Sequence, residues 1–113
     1  MSGEGLLLVD GVSSDGWRIG GRLLAPPVLL AHGRAQTVDK ASGPALLLPV
    51  LALTPRPEVL LLGTGERLIW PSADLRRAAR EAGIGLEAMD SRAAARTWNV
   101  LVQEGRLVAA LLT

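Results

Sequence analysis

The chain has no cysteine, tyrosine or phenylalanine, and a single histidine and a single lysine. Each absence removes a chemistry. Without cysteine there is no disulfide, thiolate nucleophile or iron–sulfur ligand set, and no zinc site of the common spacings can be built around His32 alone. Without Tyr or Phe, the aromatic platforms on which single-stranded nucleic acid stacks are largely missing. Charge of one sign is also lacking: eleven acids face twelve bases, for a formal net charge of +1. Long-range attraction to a polyanion has little to act through, and no nucleic-acid partner is expected. Every base except Lys40 is arginine. We read this bias as GC-rich bacterial codon usage, although Arg also suits bidentate contacts to carboxylate or phosphate.

Long apolar runs are missing as well. The stretch from Ala41 to Pro57, uncharged except at Arg56, is broken by Pro44, Pro49 and Pro55, and falls short of the roughly 20 apolar residues that a membrane span needs. The opening MSGEGLLLVDG places an acid where a secretion signal needs bases. Neither membrane insertion nor secretion is expected, and the lack of cysteine fits a cytoplasmic location.

What remains suits one globular domain. Of 113 residues, 49% are apolar, enough for a full core without staples. Short apolar runs at Leu6–Val9, Trp17–Ile19, Arg22–Leu24 and Val28–Ala31 read as strands, with Gly20–Gly21 as a two-residue hairpin turn. Residues 32–44 read as a polar loop with a brief extended piece at Gln36–Val38. Ala45–Leu53 reads as a short helix, because Pro49 can open a helical turn but cannot sit inside a long one.

The second half is more regular. Glu58–Leu62 has the aliphatic pattern of a strand covered on both faces. SADLRRAAREA follows as an amphipathic helix from Pro71 or Ser72, with Gly83 at its stop. Then come a strand at Ile84–Met89, a helix from Asp90 or Ser91 to about Glu104, and a buried final strand at Leu107–Leu112. The alternation predicts an α/β domain spanning 1–113, with a mixed central sheet, flanking helices and an antiparallel hairpin region at the N-terminus. The carboxyl-side strands are expected to be wholly hidden.

The run VLLLGTGERLIWP asks whether its glycines hold a nucleotide. A dinucleotide loop needs Gly-x-Gly-x-x-Gly opening straight into a helix. Here Gly63-Thr64-Gly65 leads to another apolar segment, and Leu68 stands where the third glycine belongs. No Gly-Lys-Ser/Thr occurs, no elbow motif suggests a Ser-His-Asp triad, and Lys40 and Ser42 share only a loop. The glycines therefore turn a corner, and no catalytic residue, cofactor or metal is expected. Trp17, Trp70 and Trp98 are read as core rather than base platforms, with exposure left open for Trp17 beside the glycine hairpin, and the Arg76–Arg77–Arg80 cluster, interleaved with Asp74 and Glu81, is assigned to a solvated helix face.

Several separated motifs resemble those of one family. An aliphatic strand ends at Gly63-Thr64-Gly65; Gly83-Ile84, Met89-Asp90-Ser91, Ala94, Thr97-Trp98-Asn99 and Glu104-Gly105-Arg106 follow in order. From about Pro57 to Leu112 the chain is similar to the domain of unknown function 498 family, which includes a mitochondrial complex I assembly factor and an adipogenesis-associated protein. The N-terminal half is similar only through Asp15–Ile19. Ser91 stands where the family has Thr, Trp98 where it has Tyr, and Ala95 where many members have Cys. The resemblance implies an α/β fold, no established enzymatic activity, and protein–protein interaction.

On a helix from Ser91, residues Ala94, Trp98, Leu101 and Val102 share an inner stripe, while Arg92, Arg96, Asn99 and Gln103 share a polar one. Arginines at i and i+4 repel by about 0.2–0.5 kcal/mol; a nearby acid or bound anion would offset this, Asp90 being the internal candidate, with Glu104 pairing Arg106 or another base. The expected function is non-enzymatic interaction or complex assembly with a protein partner. The alternative is a small-molecule or anion site between the Gly63–Gly65 turn and the start of this helix, made by Gly63, Thr64, Gly65, Asp90, Arg96, Thr97 and Asn99, with Arg106 added from the family motif. The oligomeric state is left open.

Overall fold

A computed structural model describes residues 6–113. The N-terminal charge pattern discussed above falls partly on residues outside this range. Among the described residues eight strands form two sheets. β1 (Val9–Ser13), β2 (Gly16–Ile19) and β3 (Arg22–Leu24) make an antiparallel sheet in that order. β4 (Val28–Ala31), β5 (Arg34–Thr37), β6 (Val59–Gly63), β7 (Gly85–Met89) and β8 (Val108–Leu112) make a second sheet, ordered β5-β4-β8-β6-β7. β6, β7 and β8 run parallel, and β4 pairs antiparallel with β8. The α/β class and the mixed sheet are as the apolar pattern predicts.

Alternation along the strands builds two cores. Leu61 of β6, Val108, Ala110 and Leu112 of β8, and Val28 and Leu30 of β4 face α3 (Ser91–Gln103) and the three-stranded sheet. Leu60, Leu62, Ala109, Leu111, Leu29 and Ala31 face the other way. There they meet a 3₁₀ turn (Gly43–Leu47), α1 (Leu48–Leu51) and α2 (Ala73–Glu81). Side chains two apart share a sheet face, so one register serves both layers.

The helices start where their caps place them. Ser72 accepts from Leu75 N at 3.1 Å, and Asp90 accepts from Ala93 N at 2.8 Å. Each bond satisfies one of the otherwise unpaired amides of a first turn. In α3, Ala94, Ala95 and Trp98 are buried, and the alanines let the helix lie close over β6 and β8.

Several expectations need correction. The first strand is Val9–Ser13, not Leu6–Val9, because the Ser14–Asp15 turn sets Ser13 opposite Gly16 and Val12 opposite Trp17. Inside the expected polar loop, Arg34–Thr37 is a full strand that pairs with β4 through a His32–Gly33 turn. His32 and Gly33 have φ of 53° and 73° there, like Gly20 and Gly21 at 56° and 81°; positive φ at both central residues is the turn that matches strand twist. The expected 45–53 helix is a 3₁₀ turn followed by a single α-helical turn. Trp70 is not core: it is 77% exposed, after Leu68 and Ile69 at 45% and 61%. The carboxyl-side strands are not wholly hidden either, since β7 lies at a sheet edge with Gly85 and Glu87 exposed.

Asn99 also departs from its expected place on a solvated face. Its Oδ1 accepts from Val9 N at 2.8 Å and its Nδ2 donates to Val9 O at 2.9 Å, while Trp98 Nε1 donates to Leu7 O at 2.7 Å. α3 thereby takes the place of a neighbouring strand for the start of β1. Asn99→Ala strands both Val9 groups and is expected to cost about 1–3 kcal/mol in urea unfolding, with faster amide exchange at Val9.

Candidate functional site

Parallel strands β6, β7 and β8 end together, so Gly63–Gly65, Met89–Ser91 and Thr113 share one rim, where ligands of open α/β sheets commonly sit. Thr64 N donates to Met89 O at 2.9 Å, and Ser91 N donates to Gly65 O at 2.8 Å. Ser91 Oγ accepts from Gly65 N at 2.8 Å and lies 3.3 Å from Thr113 Oγ1, which donates to Gly63 O at 2.9 Å. Thr64 Oγ1 donates to Arg67 O at 2.7 Å and accepts from Ile69 N at 2.9 Å. These groups satisfy one another. Ser91 is 3% exposed, and among the described residues no buried side-chain polar atom lacks a partner.

The gap between the glycine turn and α3 therefore holds the Ser91 hydroxyl. A Cβ on Gly63 would stand 2.8 Å from Ser91 Oγ, 2.9 Å from Ser91 Cα and 3.1 Å from Leu111 O. Glycine is needed at 63 for this close approach.

The rim brings together Gly63, Thr64, Gly65 and Asp90, but not the other expected site residues. Asp90 caps its helix rather than pairing with an arginine. Thr97, two turns in, donates to Ala93 O at 2.9 Å and lies 3.6 Å from Met89 Sδ. Asn99 ties down β1, as described. Arg106 precedes β8 at the sheet's far end, because Val59 opposes Val108 there while Gly63 opposes Leu112. Among the described residues the one ion pair within 4.0 Å is Arg77–Asp74, at 3.7 Å. The expected Asp90–arginine and Glu104–Arg106 pairs do not form.

Arg96 opens instead on a cleft of about 370 Å³ between α3 and β1, with Arg92 one turn away and Asp10, Gly11 and Trp17 opposite. A larger cleft of about 540 Å³ lies beyond Thr113. Lys40, Asp39 and Gln36 border it, over an apolar floor that includes Leu46, Leu62 and Leu111. Nothing in the sequence pointed to this cleft, since its walls come from segments far apart in the chain. No group of three His, Asp or Glu residues suited to a metal occurs among the described residues.

This is a layered α/β domain whose polar rim is internally bonded. The chain belongs to the family described as protein of unknown function (DUF498/DUF598), matched over residues 9–113, so the N-terminal hairpins share in the likeness too. Over 94% of its length it is 33% identical to "NADH dehydrogenase (ubiquinone) 1 alpha subcomplex assembly factor 3" of Homo sapiens, of which the match covers 60%. A Bordetella parapertussis protein of known crystal structure superposes with a TM-score of 0.83 at 31% identity, covering 95% of this chain and 94% of that one. An outer membrane protein from Bartonella henselae superposes with a TM-score of 0.82 at 32% identity, covering 92% and 91%. In this chain no helix among the described residues is long and apolar enough to cross a membrane.

Gly63→Ala forces the start of α3 away from β6. It is expected to cost about 1–3 kcal/mol of stability, read as a lower urea midpoint with an unchanged slope.

Proposed function

We propose that this chain is a non-enzymatic protein-interaction domain that helps assemble a larger complex, acting in the cytoplasm. Its similarity to a protein named as an assembly factor for NADH dehydrogenase supports the reading. The observation that carries it is the loop after β6. Leu68, Ile69 and Trp70 are all exposed, Trp70 most of all. Trp is among the residues that dominate protein interfaces, and adjacent exposed apolar side chains of this size mark interaction sites more often than chance surface.

The loop is also held in shape. Thr64 Oγ1 bonds to Arg67 O and Ile69 N, so the backbone that presents these side chains is fixed by its own hydrogen bonds. A loop ordered before binding loses less conformational entropy when a partner arrives.

A second reading, a small-anion site, rests on Arg92 and Arg96. They sit one turn apart on a cleft, with no carboxylate within 4.0 Å among the described residues. Thermal unfolding against a panel of carboxylates and phosphate esters tests it, since a ligand at 100 times its Kd adds about 2.7 kcal/mol.

For the preferred reading, affinity capture from the source cells is expected to recover a reproducible partner. Trp70→Ala should reduce that recovery about tenfold or more while shifting stability by less than about 0.5 kcal/mol, as for other exposed positions. Failure to recover any partner, or recovery indifferent to Trp70, overturns it.

A further inference from the structure

We propose that the free edge of β7 is a docking strand for an extended segment of another protein, one that places a lysine or arginine opposite Glu87 between two apolar residues. The inference rests on the interaction reading above and says how the partner is held.

Among the described residues β7 ends the sheet, with β6 as its single neighbour. Which of its backbone groups are used follows from the bonds at its two ends. Gly85 N donates to Glu58 O, and Met89 O accepts from Thr64 N. A parallel ladder engages every second residue of a strand, so Gly85, Glu87 and Met89 face β6. Leu86 and Ala88 turn their N–H and C=O groups outward. Among the described residues neither makes a backbone hydrogen bond outside the sheet. An open row of donors and acceptors on a sheet edge is what an added strand binds.

The side chains around this edge describe the guest. Glu87 pairs in register with Leu61, whose side chain faces α3, so Glu87 points to that same face. It is exposed and has no cationic partner within 4.0 Å among the described residues. Along the α3 face, Thr97 lies beside Met89, and Val100 follows one turn further at 55% exposure. At the carboxyl end of β7, Thr64 Oγ1 lies 3.2 Å from Met89 O and binds Ile69 N, which brings the exposed Ile69–Trp70 segment next to the strand. On β7 itself the row on this face is Gly85, Glu87 and Met89, so the acid stands between an exposed glycine, which leaves room for a guest side chain, and an apolar end. An incoming strand with its own apolar–x–basic–x–apolar pattern matches it.

A second copy of this chain matches it poorly. Antiparallel pairing of two β7 strands uses all the outward groups only when Leu86 faces Ala88 of the other copy. That register sets Glu87 directly opposite its own counterpart, and like charges so placed repel. A charge on an exposed edge is a common guard against self-pairing, and here it selects an unlike partner.

The test uses the whole chain and a synthetic heptapeptide, TVTKTVT, with TVTETVT as its control. Amide exchange followed by NMR is expected to slow about tenfold at Leu86 and Ala88 when millimolar TVTKTVT is added, with little change for TVTETVT. Glu87→Lys, an exposed substitution, should reverse this preference. Equal protection by both peptides, no protection by either, or protection at those amides on raising protein concentration alone overturns the proposal. If the peptide fails while Trp70-dependent capture of a partner persists, strand addition is wrong and the interaction reading stands. If capture also fails, that reading falls too.

Discussion

Both cores of the molecule meet on one strand. All five residues of β8 are buried, and the strand runs antiparallel to β4 on one side and parallel to β6 on the other. Val108, Ala110 and Leu112 fill the layer under α3, while Ala109 and Leu111 fill the layer under the opposite helices. A polar residue at any of these positions would be buried without a partner. Because β4 belongs to the N-terminal half and β6 to the C-terminal half, β8 also makes them one folding unit. Its small residues matter as much as its apolar ones, since the alanines let covering elements on both faces approach the sheet.

The closing strand also shapes the rim. It delivers Thr113 to Gly63 O and to the Ser91 hydroxyl, so the end of the chain, the glycine turn and the start of α3 form one bonded group. Small polar residues at strand ends attract functional readings because ligands often bind there. Here the same residue types satisfy backbone groups where three parallel strands stop together. What separates the two cases is unused hydrogen-bonding capacity. Among the described residues the rim retains no buried unsatisfied side-chain group, whereas the β7 edge leaves main-chain donors and acceptors open. On the proposed reading, recognition belongs to the strand edge rather than to the strand ends.

Much of the fold was legible because its strongest signals are local. Continuous aliphatic runs at 59–62 and 107–112 and two capped amphipathic helices predicted the parallel part of the sheet, and Gly20–Gly21 predicted its hairpin. What was illegible depends on contacts across the chain. Val9–Ser13 carries Asp10, Gly11 and Ser13 between and after its two valines, a poor strand signal, and it is a strand because β2 pairs with it and Asn99 bonds its first residue. Arg34–Thr37 is polar and follows a turn whose first residue is His rather than the usual Asn or Gly, so its hairpin carried no familiar signature. Asn99 looked like surface because helical spacing gives a face but not what packs against that face. At the site, parallel-strand logic places Gly63–Gly65 and Asp90 on one rim, while Arg106, taken from the family motif, lies at the sheet's other end, because a motif's order along the chain does not say which end of the sheet each member reaches.

Trp70 is the most informative of these departures. A tryptophan after a buried strand reads as core, yet the intervening turn leaves it outside. Thr64 lies between the strand and this loop, and its hydroxyl binds both Arg67 and Ile69, so the chain cannot fold the apolar run back over the sheet without breaking those bonds. Loop order and side-chain exposure thus have one cause. A flexible loop could bury Trp70 against its own surface; a pinned one holds it in water, where a partner can remove the cost. The same threonine donates its backbone amide to the last carbonyl of β7, so loop and open edge are parts of one rigid margin. The proposed recognition of another chain at the β7 margin rests on their combination rather than on either feature alone.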